Sequence, residues 1–343
     1  MRLKPISIAH IHVWDKNNKG DLGIVLAVQE QLLAAYPGAE IIDFPIEVLK
    51  NFDKSRAAEI NKADLVIFGG GGVFYRYFLP YSVEMINLIK SPIVIYGVGY
   101  IREVGARALK TEERDSIIAL AAKAKLIGVR ENYTKKFLVK YGIPAAKVKV
   151  IGDPAYCLHE IKPGKVKPGF KLGLNLNYSG WLGFGKWEDD ILKAYRETAE
   201  FFQDKYGAQV FYLKHHPGED MIYPRLKIKN MKVIDFEPAE QKGFYSTLNI
   251  VIGMMLHSCV MAAGALTPEI NVAYDLRNRN FARFIGCPEL VVELEDLKKG
   301  GLLRRAKQVI KNQDDYRDKF LKAKKRISAA AEELLRQAEK LIK

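Results

Sequence analysis

Short apolar runs alternate with amphipathic stretches along most of this 343-residue chain, and the alternation stops once and then restarts. In the first half ISIAHIHVW (6–14), AEIIDFP (39–45), ADLVIFGGGGVF (63–74), SPIVIYGVGY (91–100), KLIGVR (125–130) and KVKVIGDPA (147–155) read as strands. Between them DLGIVLAVQEQLLAAY (21–36), EERDSIIALAAKA (112–124) and ENYTKKFLVKYGI (131–143) carry helical periodicity. The segment HEIKPGKVKPGF (159–170) has little to bury and reads as a linker. Beyond it KLGLNLNY (171–178), AQVFYLKHH (208–216), MKVIDF (231–236), LNIVIGM (248–254) and EINVAY (269–274) are strands. WEDDILKAYRETAEFFQDKY (187–206) and LHSCVMAAGAL (256–266) are helices, and the last forty or so residues are helical. Buried strands that alternate with helices specify parallel sheets covered on both faces.

The expected fold class is therefore α/β: two Rossmann-like parallel-sheet domains facing across a cleft in a GT-B-like arrangement, with C-terminal helices. The expected segments are 1–160, an N-terminal Rossmann-like domain with glycine-rich loops; 161–297, a second such domain carrying His257; and 298–343, a basic helical tail. A formal charge of +14 suits an anionic partner of some kind, and much of it lies in the tail. No nucleic-acid motif accompanies it, and the basic residues are not interleaved with aromatics for base stacking, so no nucleic acid is expected. A solvated helix face accounts for the tail; weak attraction to anionic lipid headgroups is the functional alternative. No run approaches the roughly 18 to 20 apolar residues of a membrane span. The first residues have too short an apolar core for a signal peptide. Cys157, Cys259 and Cys287 form no CxxC or zinc pattern and fit reduced cytoplasmic thiols.

Open parallel sheets bind ligands beyond the carboxyl ends of their strands, which directs attention to the residues there. In NKGDLG (18–23), Gly20 permits an unusual backbone angle and Asp21 can cap the following helix. Asn18 or the helix N-terminus is as well suited to an acceptor sugar or a phosphate. The run Gly69 to Gly72 lacks the spacing of a dinucleotide fingerprint or a Walker loop. It is expected as a ligand-facing loop whose Gly70, Gly71 and Gly72 expose backbone. Arg130 ends its strand and precedes Glu131; its fork suits a carboxylate or phosphate, or it pairs with Glu131 or Asp153. Lys214 and His215 are candidates for an anion. Adjacent His215 and His216 point opposite ways on an extended segment, so one metal does not suit both, and no metal is expected. His257 is delivered by IVIG to a strand end, just where a helix of small residues begins. There it is either a satisfied structural histidine or a catalytic one.

Six of these stretches, in order, resemble the landmarks of the polysaccharide pyruvyl transferases between about Ile8 and Val292. NKGDLG is similar to the family's asparagine-x-glycine-aspartate turn, and ADLVIFGGGGVF and IYGVGY to its glycine-rich segments. GVRENYTKKFLVKYGI followed by VIGDPAY resembles the arginine-acid helix start and the aspartate-proline segment. IGMMLHSCVMAAGA is similar to the arginine-leucine-histidine-serine motif, and VAYDLRNRNFARFIG to the tyrosine-aspartate-x-lysine segment behind it. The resemblance implies transfer of an enolpyruvyl unit from phosphoenolpyruvate to a sugar hydroxyl of a cell-surface or exopolysaccharide precursor, giving a pyruvate ketal. It implies His257 as general acid and Arg130 as a donor-binding cation, with no cofactor beyond the donor substrate. A sugar or lipid-linked glycan is the implied acceptor. One departure stands out: Met255 occupies the place of the family's arginine, two positions before the histidine. Arg277 keeps a positive charge where the family tends to have lysine. Lys214, His215, Arg279 and Arg102 are the cations that could replace the missing one. The alternatives are a transferase using another donor, such as a nucleotide sugar, and an inactive binding subunit of glycan assembly.

Overall fold

A computed structural model describes residues 5–13, 15–102, 106–164, 166–178 and 184–342. The chain divides into two compact units: residues 1–15, 24–154 and 326–343 form the first, and 16–23 with 155–325 form the second. In the first lie β1 (Ser7–His12), most of α1 (Lys19–Ala35), β2 (Glu40–Pro45), α2 (Lys54–Ile60), β3 (Leu65–Tyr75), α3 (Val83–Leu88) and β4 (Ile93–Ile101). They are followed by α4 (Thr111–Lys123), β5 (Leu126–Val129), α5 (Asn132–Lys140) and β6 (Val148–Val150). The strands form one parallel sheet in the order β2-β1-β3-β4-β5-β6. Every residue of β4 is buried, as continuous apolar strands require when helices cover both faces.

The second unit contains β7 (Lys171–Asn175), α6 (Glu188–Tyr206), β8 (Gln209–Leu213), β9 (Lys232–Ile234), α7 (Pro238–Tyr245), β10 (Ile250–Gly253) and α8 (Leu256–Gly264). β11 (Glu269–Ala273), α9 (Leu276–Phe284), β12 (Val291–Glu293), α10 (Leu294–Leu297), α11 (Gly301–Lys311) and α12 (Gln313–Glu339) complete the elements. Its parallel sheet runs β12-β11-β10-β7-β8-β9, the doubly wound order in which the chain reverses direction between β7 and β10. α6 shows why these segments are helical. Three acids open its first turn, an apolar stripe from Ile191 to Phe202 is buried, and Gly207 ends it in the left-handed region.

Two features bear on the site. The glycine run is not a loop: β3 continues through it to Tyr75, and Gly69, Gly70 and Gly71 are buried. A Cβ on Gly70 would sit 2.6 Å from Ile24 Cγ2, and one on Gly72 would collide with Ile101. Close packing between strand and neighbours therefore accounts for the glycines, in place of the expected ligand-facing loop. The second feature is Lys242 on α7, fully buried, whose ammonium donates to the carbonyls of Tyr156 at 2.8 Å and Leu158 at 2.6 Å. It fixes the first residues of the second unit onto that unit's own helices.

Candidate active site

Asn18 begins α1. Its side-chain oxygen accepts from the backbone N–H of Gly20 at 2.9 Å and of Asp21 at 3.4 Å, so Asn18 and not Asp21 is the cap. Asp21 lies in the helix's first turn. This capped turn belongs to the second unit, where Lys19 N–H donates to the His215 carbonyl at 2.9 Å. The turn also explains Gly20. A Cβ there would lie 2.7 Å from Cγ of His257 and 2.8 Å from its Cβ, so only glycine lets the imidazole rest against this backbone. Two stretches far apart in the sequence thus converge on one point.

His257 occupies the first turn of α8, immediately beyond β10 and beside the reversal between β7 and β10. Asn175, at the end of β7, holds that turn. Its carbonyl accepts from Met254 N–H and its side-chain oxygen from Met255 N–H, both at 3.0 Å. The Asn175 amide in turn donates to Glu219 at 3.2 Å. Glu219 is buried and gathers further donors: Tyr212 O–H at 2.6 Å and the backbone N–H groups of His215 and His216 at 3.0 and 2.7 Å. Burial pushes its carboxyl up to about 8, against the pull of those donors. Behind His257 the chain therefore offers a rigid hydrogen-bonded support.

The expected anion binders fall into distinct environments. His215 is fully buried and shares a 2.6 Å hydrogen bond with Tyr245 O–H. Burial first, then the fields of His257 and Lys19, pull its imidazole down to about 3. A neutral, enclosed imidazole is a poor anion binder, so His215 serves here to pack and orient. Lys214 is paired with Asp220 at 2.8 Å and with Asp235 at 3.5 Å. Lys19, which the sequence reading passed over, pairs with the same Asp235 and donates to Phe236 O at 2.6 Å. Arg277 is tied to its neighbour Asp275, the cap of α9, through Nε at 2.6 Å. Arg279 grips Glu293 with both arms of its fork. Met255 is nearly buried as the residue before α8 and brings no charge.

In the first unit Arg130 follows β5 and is buried. Its Nε donates to Glu131 at 2.9 Å and one terminal nitrogen to Asp153 at 3.2 Å, so both pairings foreseen as the alternative to ligand binding are made. Gly99 leaves room for the guanidinium, since a Cβ there would lie 2.8 Å from Cζ. Gly70, Gly71 and Gly72 lie inside β3, and Arg102 follows β4 in this same unit. Sequence reasoning also missed Asn175 and Glu219, which carry no motif signal, and the pair His10 and His12, which does: alternate residues of a strand share a face.

Among solved structures the chain is similar to a Neisseria meningitidis UDP-GlcNAc 2-epimerase bound to UDP-GlcNAc, with 11% identity over 98% of this chain and 100% of that one and a TM-score of 0.61. Staphylococcus aureus MnaA with UDP gives 14% identity, 92% and 90% coverage and a TM-score of 0.61. Anabaena Alr3699/HepE with UDP and glucose gives 12%, 98% of each chain and 0.60. At such identities these likenesses establish the two-domain α/β, GT-B-type fold. No curated protein sequence matches the chain. The family model for polysaccharide pyruvyl transferase matches residues 18–275, from the Asn18 cap through the His257 turn to Asp275, and the chain belongs to that family.

Proposed function

We propose that the chain transfers the pyruvyl unit of phosphoenolpyruvate to a sugar of a glycan precursor, forming a ketal. The observation that supports this reading best is the placing of His257 against Gly20, which joins the two ends of the matched segment at one strand terminus. In this scheme His257 donates a proton to the methylene carbon of the donor, and the adjacent carbon becomes cationic. A sugar hydroxyl attacks that carbon and loses its proton; a second hydroxyl then displaces phosphate and closes the ketal. Lys19 and Lys214, 15% and 14% exposed, are the cations suited to the donor's carboxylate and phosphate in place of the arginine that Met255 replaces. Each can leave its exposed aspartate for a substrate anion at little cost.

The test is phosphate release from phosphoenolpyruvate in the presence of a panel of glycan acceptors, with thermal stabilisation by the donor measured alongside. A ligand at about a hundred times its dissociation constant adds roughly 2.7 kcal/mol, which is readily seen. Acceptor-dependent release abolished by His257→Ala is the expected result. A second reading is favoured by Met255 and by the UDP ligands of the fold relatives: a nucleotide-sugar donor. Stabilisation by UDP-sugars but not by phosphoenolpyruvate would decide for it. No helix among the described residues is long and apolar enough to cross a membrane. A lipid-linked acceptor would be met at the cytoplasmic membrane face through the basic helices α11 and α12, giving salt-sensitive binding to anionic vesicles.

A further inference from the structure

His10 and His12 are two residues apart on β1, so both rings project from one face, where their centroids lie 4.5 Å apart. Asp43 of β2 is the register partner of His10. Asp43 Oδ1 is 3.1 Å from His12 Nε2 and 3.8 Å from His10 Nδ1, and the three ligand-type atoms all fall within 4.8 Å of one another. Three ligands at about 2.0–2.1 Å from a tetrahedral zinc-class ion stand about 3.3 Å apart. Two of the distances bracket that value, and a small movement of the imidazoles would close the third.

The hydrogen bonding around the cluster suits a positive charge inside it. His10 is fully buried, and its Nε2 lies 2.5 Å from the Gly69 carbonyl, an acceptor, so Nε2 carries the proton. Its Nδ1 then holds a lone pair, has no hydrogen-bond partner among the described residues, and faces a carboxylate oxygen. The Nε2-to-carbonyl bond is also the outer contact that usually orients a metal-bound histidine. Gln29 supports the carboxylate in the same way, donating to Asp43 Oδ1 at 2.7 Å. Asp43 is half exposed, which gives an ion a path from solvent.

We propose that His10, His12 and Asp43 form a binding site for one divalent transition-metal ion of the zinc class, with a coordination position left open to solvent. The site lies toward the carboxyl ends of β1 and β2 and is independent of the pyruvyl-transfer reading. The experiment uses the full-length chain stripped with chelator, dialysed against Zn(II), and assayed for bound metal. Co(II) loaded in parallel reports coordination through its visible absorption. The expected result is about one equivalent per chain with a four-coordinate Co(II) spectrum, and affinity weakened at least about tenfold in Asp43→Ala and in His12→Ala. Asp43→Ala is the decisive variant, because its half-exposed side chain can be removed without opening the core. Absence of stoichiometric binding, or binding that Asp43→Ala leaves unchanged, overturns the proposal.

Discussion

The two sheets hold the cations at their strand ends in opposite ways. In the first unit Arg130 is 6% exposed and lies against two carboxylates, Glu131 and Asp153, that are themselves buried. In the second, Lys19 and Lys214 share Asp235, which is 51% exposed, and Lys214 reaches Asp220, 50% exposed. A guanidinium enclosed with buried acids is costly to unpair, whereas an ammonium paired with half-exposed acids exchanges partners more cheaply. The first unit thus encloses both its cation and the acids around it, while the second leaves the acids of its cations open to solvent.

That contrast can be broken by mutation. The largest effect falls on His257→Ala, which should lower acceptor-dependent phosphate release about 10²- to 10⁴-fold while the thermal midpoint changes little. Arg130→Met comes next. It removes the guanidinium that donates to both buried acids, Glu131 and Asp153, and should destabilise the fold by about 3–5 kcal/mol in a denaturant titration. Lys214→Met should cost about 1 kcal/mol or less in the same titration, yet raise the KM for phosphoenolpyruvate. Intact stability with lost donor binding in Arg130→Met would invert the comparison. Gly20→Ala sharpens it from the other side: the added methyl displaces the His257 ring, so turnover should fall about a hundredfold while the Asn18 cap keeps the helix folded.

The last expected effect is one of pH. Glu269 on β11 is fully buried beside the Cys259 thiol. Burial raises its pKa from 4.5 to about 8. Between those values the folded chain keeps a proton that the unfolded chain releases, so this group's contribution to stability declines as pH rises. Glu269→Gln should show a shallower fall of thermal midpoint between about pH 5 and pH 8 than the unaltered chain; equal slopes would remove Glu269 as the cause.

Much of this was legible before any coordinates. Apolar runs of four to eight residues bounded by glycine give both parallel sheets, and strand-end logic singles out Arg130 and His257. The glycine run misleads because glycine reads as punctuation, while here β3 needs it to let Ile24 and Ile101 pack closely. Arg130 reads as a ligand-binding cation or an ion-pair partner, and the fold supplies the pairs with Glu131 and Asp153. Lys242, Asn175 and Glu219 are invisible for a different reason: a buried polar residue is specified by partners distant in sequence, and periodicity does not report those. His10 and His12 are the opposite case, since the alternation rule that separates His215 from His216 puts this pair on one face.

The ending of α12 bears on how the chain is made. Residues 326–343 belong to the first unit, where Tyr36 O–H donates to the Leu335 carbonyl at 2.6 Å and Leu334 packs over Gly128. During synthesis the strands β1 to β6 emerge early but wait for this last helical piece until all of the second unit has been translated. The apolar surface around Tyr36 and Gly128 therefore stays uncovered on the ribosome until residues 326–342 have emerged. A nonsense mutation at residue 326 would leave a fully translated second unit attached to an unfinished first one, a product suited to chaperone capture and degradation.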